Sequence, residues 1–246
     1  DLLVQLRGCK EFFFRVAMLP FILILTDGYV LPRIGLLPES FPNSMFPGVL
    51  GMSLLVTGIH GTAVPLSMDF HNSREIEDKL QAPVSIRVVA FSKMIVGMIE
   101  SWIGALLVLP FSLLFMGSNL DISMNFNQIL WLILILFLSS VTSAALGLLV
   151  GTIVKPSQIA AMFPGFLMPL IFTGAVFFTW ESLSVIPLYK ILVLLNPLVY
   201  INEALRYIMI SPNHAMSLIL SIIGIVVFTV LMGIIGMRRF EKMAIN

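Results

Sequence analysis

The residues that could do chemistry are few, and their spacing rules out more than it builds. His60, His71 and His214 fall on three separate segments, so no His-Glu-x-x-His pair forms a metal site. Cys9 is the only cysteine, which excludes an internal disulfide or redox pair and leaves an apolar filler. Gly51-Met52-Ser53-Leu54 has the look of an intramembrane nucleophile turn, the basis of a membrane-enzyme reading, yet the last apolar segment holds no histidine to serve as base. The phosphate-cradling Gly-x-x-x-x-Gly-Lys-Ser/Thr loop is absent, so this chain is not expected to hydrolyse ATP by itself. Two carboxylates, Asp27 and Glu100, lie inside apolar stretches, where a charge costs about 2.5–3.5 kcal/mol at the bilayer centre on insertion scales. Asp27 is near enough to the end of its stretch to reach headgroups. Glu100 follows Lys93 by about two helical turns, too far for direct contact, and is expected to face a polar cavity or a partner helix.

Two stretches carry organised polar chemistry. In Asn72–Pro83 a short helix is predicted: Asn72 caps, Glu75 completes a capping box, and Pro83 forces Ala82 out of helical geometry. Glu75 and Lys79 are ordered for an i,i+4 pair, and Ile76 and Leu80 share another face. The second stretch, Trp180–Asn213, is apolar but broken by Pro187, Asn196-Pro197 and Ser211-Pro212. Asn196 is a good cap and Pro197 fits a first turn, so two short helices meeting at Leu195–Pro197 are expected, forming a re-entrant hairpin over 186–210. Glu203 and Arg206, three apart, are expected to satisfy each other or a neighbouring subunit in a partly buried site.

The elements that position these residues follow from composition. Hydrophobic residues make up 59% of the chain, charged residues 11%, and mean hydropathy is +1.04, too apolar for an ordinary water-facing surface. The expected fold is all-α integral membrane, a single domain over 1–246 with six spans at about 12–31, 46–68, 88–116, 129–154, 159–178 and 215–237. Asp1–Glu11 reads as the tail of a truncated interfacial helix, with no cleavable leader expected, and Pro32–Ser44 reads as a loop. Ser139, Ser143, Gly147 and Gly151, each four apart, make one smooth face on the fourth span. Pro164, Pro169 and Gly174 predict bends in the fifth. Placing both termini on one side puts Arg7, Lys10, Arg15, Arg74, Lys79, Arg87, Lys93, Lys155, Arg238, Arg239 and Lys242 there, against Arg33, Lys190 and Arg206 opposite. By the positive-inside rule that side, with Asn72–Pro83, is cytoplasmic. The bases sort by membrane side and form no patch for nucleic acid.

Three stretches together resemble the permease subunits of ABC-2 type exporters. They are Arg74-Glu75-Ile76-Glu77-Asp78-Lys79-Leu80-Gln81-Ala82-Pro83 after the second span, Gly174-Ala175-Val176-Phe177-Phe178 closing the fifth, and Asn196-Pro197-Leu198-Val199-Tyr200 with Glu203-Ala204-Leu205-Arg206. Order, spacing and topology agree over nearly the whole chain. The resemblance implies a six-span subunit that pairs with a second copy or a related permease and with a separate nucleotide-binding ATPase, which holds ATP and Mg; no cofactor is expected on this chain. It implies a coupling helix at 72–83, a path formed by spans two and five, and a hairpin capping that path outside, in a prokaryotic-type plasma membrane. The short N-terminal helix and Asp27 depart from the family pattern. A secondary transporter or channel working without an ATPase is the main rival reading, and the intramembrane enzyme built on Ser53 a weaker one.

Overall fold

The computed structural model describes residues 9–71, 85–117, 124–210 and 215–245, and every regular element among them is helical. Helix α1 (Cys9–Leu23) continues through a π-helical stretch, Ile24–Val30, into a last turn, Leu31–Arg33. The loop expected from Pro32 is therefore shorter. Pro32 sits in the first positions of that last turn, where its missing N–H costs nothing, and helix α2 (Phe41–His71) already begins at Phe41. Helix α3 (Ile86–Met116) and helix α4 (Phe126–Gly151) follow. Helix α4 starts three residues before the expected 129 because Gln128 Oε1 accepts from the Asn125 N–H at 2.7 Å and closes the first turn.

The fifth pass is broken. A 3-10 turn (Pro156–Gln158), a helical turn (Ile159–Met162), a π-helical stretch (Phe163–Leu167) and helix α5 (Met168–Thr173) succeed one another. Pro164 cannot donate to the helical ladder, and the chain widens around it. The segment stops at Thr173, short of the expected 178, and turns at Ala175, whose φ is 55°. Its path still crosses the bundle. Ser67 Oγ, near the end of α2, donates to Val154 O at 2.6 Å just before the segment starts, and Val176 just after it lies against Gly48 near the beginning of α2.

Helix α6 (Pro187–Leu192) with its 3-10 extension Val193–Leu195, and helix α7 (Pro197–Met209), meet at Asn196 with a bend of 102°. Helix α8 (Leu218–Ile245) closes the chain. Among the described residues, Val16–Arg33, Phe41–Phe70, Ile86–Met116, Phe126–Gly151 and Leu218–Ala244 are each long and apolar enough to cross a membrane alone.

Helix α2 is the axis. Of its apolar window 78% is buried, against 11% for α8, which therefore turns most of its surface to lipid. Small residues let α3 and α4 approach it closely. Ser139, Ser143, Gly147 and Gly151 are all buried. Ser143 Oγ meets Ser101 Oγ of α3 at 2.8 Å, and a Cβ on Gly147 would lie 2.8 Å from Thr62 Cβ and 3.0 Å from Ile59 O. Gly147→Val should therefore destabilise by about 1–3 kcal/mol through overpacking, read as a lower midpoint of unfolding in detergent. Gly233→Ala, where the nearest atom to a new Cβ is 4.0 Å away, should leave that midpoint unchanged.

Candidate functional site

The break at Thr173 creates a polar problem that α7 solves. A helix leaves its last four carbonyls without intrahelical partners, and in an apolar surrounding each needs a donor. Asn196 Nδ2 donates to Leu170 O at 2.7 Å and to Thr173 Oγ1 at 2.9 Å. Asn202 Nδ2 donates to Gly174 O at 2.7 Å, and Arg206 Nη2 to Val176 O at 2.9 Å. Asn196 Oδ1 meanwhile accepts from Leu198 N at 2.9 Å, so one side chain caps α7 and holds the end of α5.

Arg206 is the centre of this hub. Its Nε donates to Ser44 O of α2 at 3.1 Å and its Nη1 to Glu203 Oε1 at 2.8 Å. Glu203 also accepts from the backbone N–H of Trp180 and of Met216, both at 2.9 Å. The side chains of Glu203 and Arg206 are 0% and 2% exposed. The site expected to be partly buried is thus fully buried, and the pair is satisfied within one chain because the surrounding backbone supplies the remaining donors and acceptors. Tyr200 OH donates to Leu194 O at 3.0 Å across the bend, and its ring packs over Gly224 of α8.

The hub gathers Asn196, Pro197, Tyr200, Glu203, Arg206 and Gly174. Pro164 and Pro169 remain outside it, exposed along the broken segment. Arg74, Glu75, Ile76, Glu77, Asp78, Lys79, Leu80 and Pro83 lie outside the described residues. Asn202 was not singled out from sequence, although polar side chains at 196, 202, 203 and 206 in an otherwise apolar helix were the signal for it.

A second buried ion pair lies at the opposite end of α2. Lys93 Nζ of α3 meets Asp69 Oδ2 of α2 at 2.6 Å, with the two side chains 3% and 10% exposed. Asp69, one residue past the expected end of the second span, was not singled out from sequence and Lys93 had no partner there, because the contact joins two helices 24 positions apart. The pair ties together the two helices that bracket residues 72–84. Glu100, one turn pair deeper, is buried against Gly61 of α2, whose missing side chain makes the room.

Between α1, α2 and the broken segment lies a cavity of about 330 Å³, walled by Val16, Leu19, Ser53, Thr57, His60 and Phe163. His60 Nδ1 is 3.1 Å from Val56 O and must carry the proton there, since a carbonyl only accepts. Ser53 Oγ donates to Gly104 O at 2.9 Å and is buried, so its hydroxyl is committed to holding α3 against α2.

Residues 3–210, from the N-terminal segment through the hub and hairpin, match the family model of the ABC-2 type transporter. The chain belongs to the ABC-2 type transporter family. No curated protein and no solved structure matches it. An ABC-2 chain is a transporter's membrane component, and its polar groups here fit that role: they fasten helix to helix at both ends of α2. In this ABC-2 chain Arg206→Met should cost about 3–5 kcal/mol by leaving the Glu203 carboxylate buried without its counter-charge. The double variant Glu203→Gln/Arg206→Met should unfold at higher denaturant than Arg206→Met alone, as measured by intrinsic fluorescence in detergent.

Proposed function

We propose that the chain is the permease subunit of an exporter driven by a separate ATPase subunit, working with a second copy of itself or a related permease. The observation that carries this is the family match running unbroken through the bracketing helices, the broken fifth pass and the hairpin. ATP and Mg bind the partner ATPase; this chain supplies the path and the mechanical link. Residues 72–83 form the coupling segment on the cytoplasmic side, together with both termini, in a prokaryotic-type plasma membrane. Ile76 and Leu80 bury in a groove on the ATPase, while Arg74, Glu75, Glu77, Asp78 and Lys79 set register at its rim and Pro83 ends the helix.

The Asp69–Lys93 pair gives the push somewhere to go. Because α2 and α3 are tied where they leave the coupling segment, displacement of that segment moves both helices as a unit. Helix α2 then acts on the cavity it shares with α1 and the broken segment, which forms part of the substrate path. The walls of that cavity are apolar apart from Ser53, whose hydroxyl is committed to Gly104 O, Thr57 and the His60 imidazole, which suits a lipid-like or amphipathic substrate. At the far end the hairpin, held by Asn196, Pro197, Tyr200, Glu203 and Arg206, closes the path, and Pro164, Pro169 and Gly174 give the fifth pass its bends. The exposed Leu188, Ile191 and Leu195 on the first arm support a re-entrant placement in apolar surroundings.

Ile76→Asp/Leu80→Asp should abolish co-purification with the ATPase; undiminished ATPase recovery together with undiminished transport would overturn the coupling role. Lys93→Met should keep the ATPase bound but lower transport per ATP hydrolysed by about tenfold, the size of a modest coupling energy. Lys93→Arg, which keeps the charge, should restore most of the loss in the same vesicle assay.

A further inference from the structure

A second cavity of about 420 Å³ is lined by Leu50 and Leu54 of α2, Trp102 and Leu109 of α3, and Leu132 and Leu136 of α4. We propose that it holds one acyl chain of a bilayer phospholipid, as a resident lipid and not as transported cargo. This does not rest on the exporter reading.

Three observations select that occupant. The walls are hydrocarbon apart from the Trp102 indole N–H and the hydroxyl of Ser112, whose Oγ already donates to Leu109 O of its own helix at 2.8 Å. Water entering would find too few partners to hold it, since a bound water needs two to four polar groups. Two of the lining residues, Leu106 and Leu113, are 58% and 68% exposed on the flank of α3, so the cavity reaches the outer surface there. In a membrane-spanning bundle that flank meets acyl chains, so the medium at the mouth is the occupant. An empty apolar void would forfeit the dispersion contacts that a chain restores.

The lining also separates this lipid from the first cavity, for the two share no residue: Leu50 and Leu54 line this one, and Ser53, Thr57 and His60 the first. A chain seated beside Leu50 and Leu54 contacts α2 next to Met209 at the end of the hub helix.

Trp102 provides the reporter. The chain is reconstituted in phosphatidylcholine brominated at mid-acyl carbons, and the Trp102 emission is taken as the difference between wild type and Trp102→Phe. Native mass spectrometry from a mild detergent counts retained lipid. The expected result is quenching of the Trp102 component and one retained phospholipid per chain. Ala105→Phe, which fills the buried wall, and Leu106→Phe, which narrows the exposed mouth, should each lose the bound-lipid peak and reduce the quenching. Absence of retained lipid in wild type, or retention and quenching unchanged in a folded Leu106→Phe variant, would overturn the proposal. Retention lost in Val56→Phe but kept in Leu106→Phe would place the lipid in the first cavity and overturn it equally.

Discussion

The constraint on which the rest depends is that a backbone carbonyl inside an apolar medium must find a donor. Helix α5 ends at Thr173 before the fifth pass has finished crossing, which exposes the carbonyls of its last turn and of the following turn at Ala175. A water-soluble protein would leave these to solvent. Here the donors come from one face of α7: Asn196, Asn202 and Arg206 reach Leu170, Gly174 and Val176 in order. A guanidinium is the side chain best suited to the last position, because its fork of N–H groups can serve Val176, Ser44 and Glu203 at once. Burying that charge demands a counter-ion. Glu203, one turn earlier on the same helix, supplies it and in turn takes the N–H groups of Trp180 and Met216. One broken helix thus accounts for a whole polar cluster.

The middle of the bundle obeys a different rule. Lipid offers no hydrophobic drive for helices to associate, so close packing and short hydrogen bonds must do it. Small residues on α3 and α4 bring their backbones against α2, and Ser53, Ser101 and Ser143 bond across the contacts. Helix α8 joins by the same means at its middle, where Thr229 Oγ1 meets Thr142 Oγ1 of α4 at 2.6 Å. It is tied at its ends as well, by the Met216–Glu203 bond just before it and by Phe240 against Phe70 and Arg87 to Glu241 at the other end.

What could be read from sequence divides along the same line. The local signals were legible: the cap at Asn196, the pairing of Glu203 with Arg206, the smooth face of α4 and the interruption of the fifth pass around Pro164 all depend on residues within a turn or two of each other. Helix ends were less so, since Gln128 extends α4 and Pro32 prolongs the first pass where apolar runs alone suggest otherwise. Contacts between distant segments were not legible. Nothing local says that Lys93 meets Asp69, or that Asn202 meets Gly174 across 28 positions, because partner choice there is set by how whole helices pack.

Helix α2 joins these levels. It spans 31 residues, about 46 Å at 1.5 Å per residue, and is fastened near both ends, through Ser44 O to Arg206 and through Asp69 to Lys93. Its two internal prolines stand next to those fastenings: Pro47 follows Ser44 within a turn, and Pro65 precedes Asp69 by four residues. Each removes one bond from the helical ladder, so α2 is weakest close to where it is held. The bond missing at Pro65 is the one to Gly61 O, so the stretch that keeps its ladder runs from about Gly48 to His60. A rod with compliant ends and a stiff centre tilts as one body when either end is displaced. The positions of Pro47 and Pro65 therefore favour transmission along the central stretch of α2 over bending within it.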